Sequence, residues 1–211
     1  MTKNIEKLNK LDELPYFSIS QFNLYFKDRN AARVSISRWL KQNKLYSIKK
    51  WLYISANKFM KISFSGEITH YKEFIASNLI YNPSYLSMEY VLFENNIITE
   101  NVYNFTLVTT NKTAKFKNKF GNFVYKSLKE SFFWDYETIK HNGLIVYKAT
   151  PEKALFDYFY FKRWVIFTES YIKELRLNFN NIDFNKLEII TNKYKSKKIN
   201  KILIILKKIS W

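Results

Sequence analysis

The stretch DRNAARVSISRWLKQ, residues 28–42, can bury only one of its sides, and this restricts the fold more than any other segment. At 100° per residue, Ala32, Ile36 and Trp39 share one face of a helix, with Leu40 at its margin. Asn30, Arg33, Val34, Ser37, Arg38 and Lys41 occupy the other face. Asp28 is placed to cap a helix running from about residue 30 to 42. Three of the five arginines, Arg29, Arg33 and Arg38, fall in this stretch, while Arg163 and Arg176 lie far downstream. Thirty lysines are spread through the chain, so a cluster of arginines carries more information than a lysine does. A guanidinium fork makes bidentate bonds to guanine or phosphate that an ammonium cannot reproduce. Asn30 can read adenine, and Ser37 can approach base or backbone. One side buries and the other carries donors, which is the layout of a recognition helix.

The flanking residues extend this pattern. Ile5, Leu8, Leu11 and Leu14 step by three and predict an amphipathic helix ending at Pro15. In SISQFNLYF, Ser18 or Ser20 can cap a second helix that packs through Phe22, Leu24, Tyr25 and Phe26. Downstream, Leu45–Ile48 and Leu52–Ser55 are β-prone around Lys49, Lys50 and Trp51, which predicts a hairpin with two lysines near its tip. Three helices followed by such a hairpin make a winged helix-turn-helix, whose third helix enters the major groove of double-stranded DNA. An ordinary helical bundle with a solvated outer face is the competing reading.

Charge is consistent with a polyanion partner. The net charge of +17 is unevenly placed: residues 1–60 hold twelve Lys/Arg against four Asp/Glu, residues 61–150 ten against eight, and residues 151–211 thirteen against six. Hydrophobic residues at 47% and aromatics at 19% predict packed cores. The absence of cysteine excludes disulfides and thiolate metal sites. MTKNIEKLNKLDELP lacks the apolar stretch of a signal peptide, and ILIIL at 202–206 is too short to span a bilayer. A cytoplasmic protein without membrane association is the expectation.

Beyond the first sixty residues, NKFMKISFSGEITHYKE reads as a linker over 58–70 with a bend at Gly66. A helix over about 71–79, a turn at Asn82-Pro83 and a short helix over about 87–94 follow. VYNFTLVTT (102–110), NFVYKSL (122–128) and GLIVYKA (143–149) predict strands of one mixed or antiparallel sheet. TPEKALFDYFYF starts a helix sharply, with Thr150 as N-cap, Pro151 in the first turn and Glu152 at the positive terminus. Lys153 and Asp157 are spaced to pair at i,i+4. Glu152, Lys153 and Asp157 could instead belong to a partner-binding surface, but local geometry accounts for them and is preferred.

Four motifs taken in order, ISRWLKQNKLYSIKKWLYIS, NPSYLSMEYVLFENNII, FTLVTT and YKATPEKALFDYFYF, resemble the AbiEi family of antitoxins from abortive-infection, type IV toxin–antitoxin systems. The resemblance covers about residues 16–162. It implies a winged helix that binds inverted repeats upstream of its own operon, and a C-terminal domain that counters a nucleotidyltransferase-like toxin. By position, Arg29, Arg33, Ser37, Arg38 and Lys41 match the recognition-helix region, and Lys49 and Lys50 match the wing. The chain departs from the family in two places. Lys50-Trp51 stands where family wings commonly carry Arg-Gly, and Asn43 stands where recognition helices commonly end in Gly.

Nothing in the sequence assembles an active site. His70 and His141 fall in segments that read as linker and loop and lack ligand spacing. Gly66, Gly121 and Gly143 are too far apart for a phosphate loop. Asp135 and Glu137, the nearest thing to a carboxylate pair, read as surface residues. The tail predicts helices over 167–177 and 183–194, then a basic amphipathic helix with Ile199, Ile202, Leu203, Leu206 and Ile209 on one stripe. That last helix can dock on its own domain or lie along DNA phosphate or a membrane, and docking is preferred.

The expectation is therefore an α+β protein. A winged helix-turn-helix over 1–57 and a linker over 58–70 precede a mixed α/β domain over 71–211 with a small sheet and flanking helices. The expected function is a non-enzymatic antitoxin and autorepressor needing no cofactor or metal, with Arg29, Asn30, Arg33, Ser37, Arg38, Lys41, Lys49 and Lys50 on operator DNA. The alternatives are a winged-helix regulator without a toxin partner, and a protein–protein module whose basic charge is compositional.

Overall fold

A computed structural model describes residues 9–26, 28–162 and 165–210. The chain is mixed α+β and divides into two units, residues 1–75 with 117–121, and residues 76–116 with 122–211. The predicted helix over residues 5–14 falls partly outside the described residues; residues 9–11 are helical.

The first unit carries a three-stranded antiparallel sheet in the order β1 (Phe17–Ser18), β3 (Leu52–Ser55), β2 (Leu45–Lys49). Between β1 and β2 run α1 (Ile19–Asn23) and α2 (Arg29–Lys41). Ser18 and Gln21 form a reciprocal capping box that starts α1: the Gln21 N–H donates to Ser18 Oγ and the Ser18 N–H to Gln21 Oε1. Asp28 accepts from the N–H groups of Asn30 (3.2 Å) and Ala31 (3.0 Å) and starts α2. Past the end of α2, Asn43 takes the left-handed conformation at φ 54°. Leu11, Phe17, Phe22, Ala32, Ile36, Trp39, Leu45 and Tyr53 form the core.

Residues 58–70 depart from the linker expectation. They belong to α3 (Ala56–Phe64) and α4 (Ile68–Phe74), with Gly66 bending between them at φ +80°. Ser55 caps α3, Ile62 is buried, and Phe59 meets Tyr46 and Phe120 edge-on. The spacing of Phe59 and Ile62 is one helical turn, blurred by the exposed apolar Met60 and Phe64 and by the lysines beside them. The helix expected over 71–79 begins earlier, as α4, and continues as a π-helical turn over Ile75–Ile80.

The second unit is built on a six-stranded mixed sheet in the order β6-β7-β5-β4-β9-β8. Its strands are β4 (Ser84–Leu86), β5 (Asn104–Thr109), β6 (Ala114–Asn118), β7 (Gly121–Ser127), β8 (Tyr136–His141) and β9 (Leu144–Ala149). β5 runs parallel to β7 and β4 parallel to β9, while β4–β5 and β8–β9 are antiparallel. The helices are α5 (Glu89–Glu94), α6 (Pro151–Phe161), α7 (Glu169–Glu174), α8 (Phe184–Tyr194) and α9 (Lys197–Ser210).

The central element of this unit is α6, capped by Thr150 and buried from Glu152 to Phe159. Lys153 Nζ donates to Asp157 Oδ1 at 2.5 Å, and both side chains are 0% exposed. Asp157 Oδ2 also accepts from Tyr85 (3.0 Å) and Ser87 (2.8 Å), and the ammonium lies against the rings of Tyr194, Phe156 and Tyr85. Burial raises the Asp157 carboxyl above its ordinary value, and the Lys153, Ser87 and Tyr85 contacts draw it back. Glu152 Oε1 accepts from the Asp183 N–H at 3.1 Å, joining α6 to the start of α8. All three residues are interior, so local geometry governs them and a partner-binding surface does not.

The tail docks on this unit. Ile199, Ile202, Leu203 and Leu206 of α9 are buried, and α9 packs on α6, α7 and α8. Lys198 Nζ donates to the carbonyls of Phe159 and Lys162, satisfying groups left open at the end of α6. Glu169 accepts from Lys173 (2.8 Å) and Lys208 (2.7 Å), which pulls its carboxyl from 4.5 to about 2. Among the described residues no helix is long and apolar enough to cross a membrane.

Replacing one member of the buried pair, by Asp157→Asn or Lys153→Met, is expected to cost about 3–5 kcal/mol in urea unfolding because an uncompensated charge remains. Replacing both with apolar residues should recover most of that loss. Single-variant losses below about 1 kcal/mol would contradict this account. For Glu169 the folded value is depressed, so its contribution is complete above about pH 4.5 and is lost as pH falls toward about 2. Carboxyl-carbon NMR should place its midpoint near the lower value and move it upward in Lys208→Ala; a wild-type midpoint near 4.5 would contradict the pairing.

Candidate nucleic-acid interface

The core of the first unit decides which side of α2 meets solvent. Trp39 packs edge-on against Phe22 at 5.6 Å between ring centroids, and Phe22 in turn stacks on Phe17. With Ala32, Ile36 and Trp39 turned inward, the predicted polar side is left exposed: Arg29, Asn30, Arg33, Ser37, Arg38 and Lys41 are all on the surface. Val34, 66% exposed, lies among them. The β2–β3 turn places Lys49 and Lys50 on the surface as well.

The six cations in this set are not consumed internally. Among the described residues none of Arg29, Arg33, Arg38, Lys41, Lys49 and Lys50 is in an ion pair with a carboxylate. In the second unit Lys148, Lys153, Lys173, Lys186, Lys193, Lys207 and Lys208 have carboxylate partners while others such as Lys112, Lys126, Lys140 and Lys201 do not, so the first-unit set is marked by its clustering on one helix face and turn. Exposed cations without partners keep their capacity for phosphate. Asp28, at the start of α2, is occupied with backbone N–H groups, which hold its carboxyl below its ordinary value.

Trp51 joins this face, although sequence reasoning did not place it there. It is 45% exposed, and its indole centroid lies 5.9 Å from Arg33 Cζ and 5.5 Å from Lys50 Nζ. It also has φ +67°, a left-handed conformation that costs a residue with a side chain roughly 1–2 kcal/mol. Its carbonyl accepts from the Ile19 N–H at 3.0 Å, and Lys49 O accepts from Ser47 Oγ at 3.1 Å. These two bonds fix the turn to the start of α1 and to β2. A groove of about 830 Å³ runs beside it, lined in part by Ser18, Ser20, Asn23, Arg29, Arg33 and Trp51. The signal available in the sequence was a tryptophan directly after Lys49-Lys50, between two β-prone segments.

The other residues singled out from the sequence lie elsewhere. His70 is in α4, beside Glu73, and His141 ends β8, so neither sits in a linker or a free loop. Asp135, at φ 62°, is held by Lys193 and by the hydroxyl of Tyr194, while Glu137 is exposed on β8. Among the described residues no group of three or more His, Cys, Asp or Glu is placed to hold a metal ion. No protein-family model and no curated protein matches the chain.

Asp28 serves α2 as a cap and lowers the positive potential of this face. Asp28→Ala is expected to cost about 1 kcal/mol of stability, whereas Asp28→Asn should keep the cap and the stability. Equal losses for the two variants in urea unfolding would show that the charge of Asp28, and not its capping geometry, supports α2.

Proposed function

We propose that the chain is a DNA-binding antitoxin of the AbiEi kind that represses its own operon. The observation that carries the DNA-binding part is the exposed face of α2, where four cations without carboxylate partners surround Asn30, Val34 and Ser37 beside a turn bearing Lys49 and Lys50. The order of helix, α1, α2 and β2–β3 hairpin supports a winged helix-turn-helix, with α2 as recognition helix and the hairpin as wing. In the major groove, Arg33 and Arg38 suit guanine, Asn30 suits adenine, and the methyl groups of Val34 suit the thymine methyl. Lys41, Lys49 and Lys50 then hold phosphates.

The antitoxin part rests on the resemblance carried by YKATPEKALFDYFYF and its companion motifs. In this reading the second unit counters a nucleotidyltransferase-like toxin in the cytoplasm, with no catalysis, cofactor or metal of its own. The burial of Glu152, Lys153 and Asp157 directs any toxin contact to other, exposed residues of that unit. A regulator of the same build without a toxin partner is separated by one test. Co-expression with the product of a neighbouring toxin-like gene should restore growth if the antitoxin reading holds, and should leave growth arrested if it does not.

Footprinting on the DNA upstream of the gene tests the repressor part. Two protected half-sites are expected, their centres about 34–36 Å apart or a multiple of this spacing. Arg33→Ala and Arg38→Ala should each weaken operator binding by roughly 1–3 kcal/mol and leave binding to scrambled duplex less affected. Equal losses on both duplexes would remove base readout from the two arginines.

A further inference from the structure

A nucleic-acid strand offers more than charge to a surface. Between successive phosphates lies the apolar face of a deoxyribose, and a flat amphipathic ring can cover it without using an ion pair. Indole suits this role, because it brings a large contact area with few rotatable bonds and a single N–H donor at its edge. Trp51 is the only tryptophan of the chain in the β2–β3 turn.

Three independent features of Trp51 agree. Its ring centroid lies 5.9 Å from Arg33 Cζ on α2 and 5.5 Å from Lys50 Nζ in the turn, two cations that have no carboxylate partner among the described residues. The ring is 45% exposed, so core packing does not account for it. The backbone adopts a conformation in which glycine is at ease and a bulky side chain is strained, yet the position carries the largest side chain there is. Strain held at an exposed position by two backbone-directed hydrogen bonds is the pattern of a functional residue. The adjoining groove of about 830 Å³ has room for a sugar–phosphate unit and is lined in part by Ser18, Ser20, Arg29 and Arg33.

We infer that Trp51 is a non-ionic DNA contact, its indole packing on a backbone deoxyribose between phosphates held by Arg33 and Lys50. This rests on the DNA-binding reading and deepens it. The contact is with the sugar of one strand, so it adds affinity on every sequence and carries no base preference. Because the indole releases no counterion, it contributes to affinity without contributing to salt dependence.

The test compares wild type, Trp51→Gly, Trp51→Phe and Lys50→Ala by fluorescence anisotropy on a labelled mixed-sequence duplex, over about 0.05–0.2 M salt. Trp51→Gly relieves the left-handed strain, so its thermal midpoint should stay level or rise, which separates lost contact from lost folding. Its affinity should fall about tenfold at every salt concentration, with the slope of log K against log salt unchanged. Trp51→Phe, which keeps a ring, should retain most of the affinity. Lys50→Ala should instead flatten the slope by about 0.9. Wild-type affinity in Trp51→Gly would overturn the inference. So would a flattened slope in that variant, which would make Trp51 a support for Arg33 or Lys50 and not a contact. Failure of the wild-type chain to bind any duplex would overturn the DNA-binding reading and this inference with it.

Discussion

Packing of Trp39 against Phe22 orients everything else on the first unit. The indole meets the phenyl ring edge-on, and the same helical turns bring Ala32 and Ile36 into the core cluster that holds Leu45 and Tyr53. Once that stripe is buried, helical geometry turns Arg33, Val34, Ser37 and Arg38 outward. A helix bearing this many cations on one side has low intrinsic hydrophobicity and gains its stability from its buried stripe. The composition of the exposed face is therefore free to serve another molecule.

The net charge of +17 divides into two kinds of cation. In the second unit seven lysines are paired with carboxylates, while Lys112, Lys115, Lys126, Lys129, Lys140, Lys195, Lys197 and Lys201 have no carboxylate partner among the described residues. Lys153 neutralises Asp157 in the interior, Lys198 terminates α6, and Lys207 and Lys208 fasten α9 to Glu188 and Glu169. Much of the charge of the basic tail is thus structural, although Lys195, Lys197 and Lys201 have no carboxylate partner among the described residues. On the first unit the cations of α2 and the β2–β3 turn have no carboxylate partner among the described residues, and a polyanion is the chemistry that would occupy them. Counting charge along the sequence marks both ends as basic and does not distinguish these two situations.

Local signals made much of the fold legible before the structure. Ser18, Asp28 and Thr150 cap helices where expected, because side-chain-to-backbone bonds at helix starts depend on only a few consecutive residues. The two faces of α2 and the buried stripe of α9 followed from helical periodicity. The sheet was less legible. β4 spans three residues, all buried, and so shows no alternation, while β8 is exposed along almost its whole length and offers no apolar periodicity. The Asn142-Gly143 pair held an unused signal for the β8–β9 hairpin: both residues have positive φ, 46° and 76°, as a type I′ turn requires. The partition of lysines into paired and unpaired sets could not be read, since partners such as Asp135 and Lys193 meet only through tertiary folding.

The central claim is that the exposed face of α2 recognises DNA by sequence. Fluorescence anisotropy with the duplex upstream of the gene, against a scrambled duplex of equal length at about 0.05 and 0.2 M salt, addresses it most directly, because phosphate-only binding collapses across that range. The account predicts a preference for the upstream duplex that persists at the higher salt. Equal binding to both duplexes that vanishes with salt would contradict it, leaving the arginines of α2 as phosphate contacts alone.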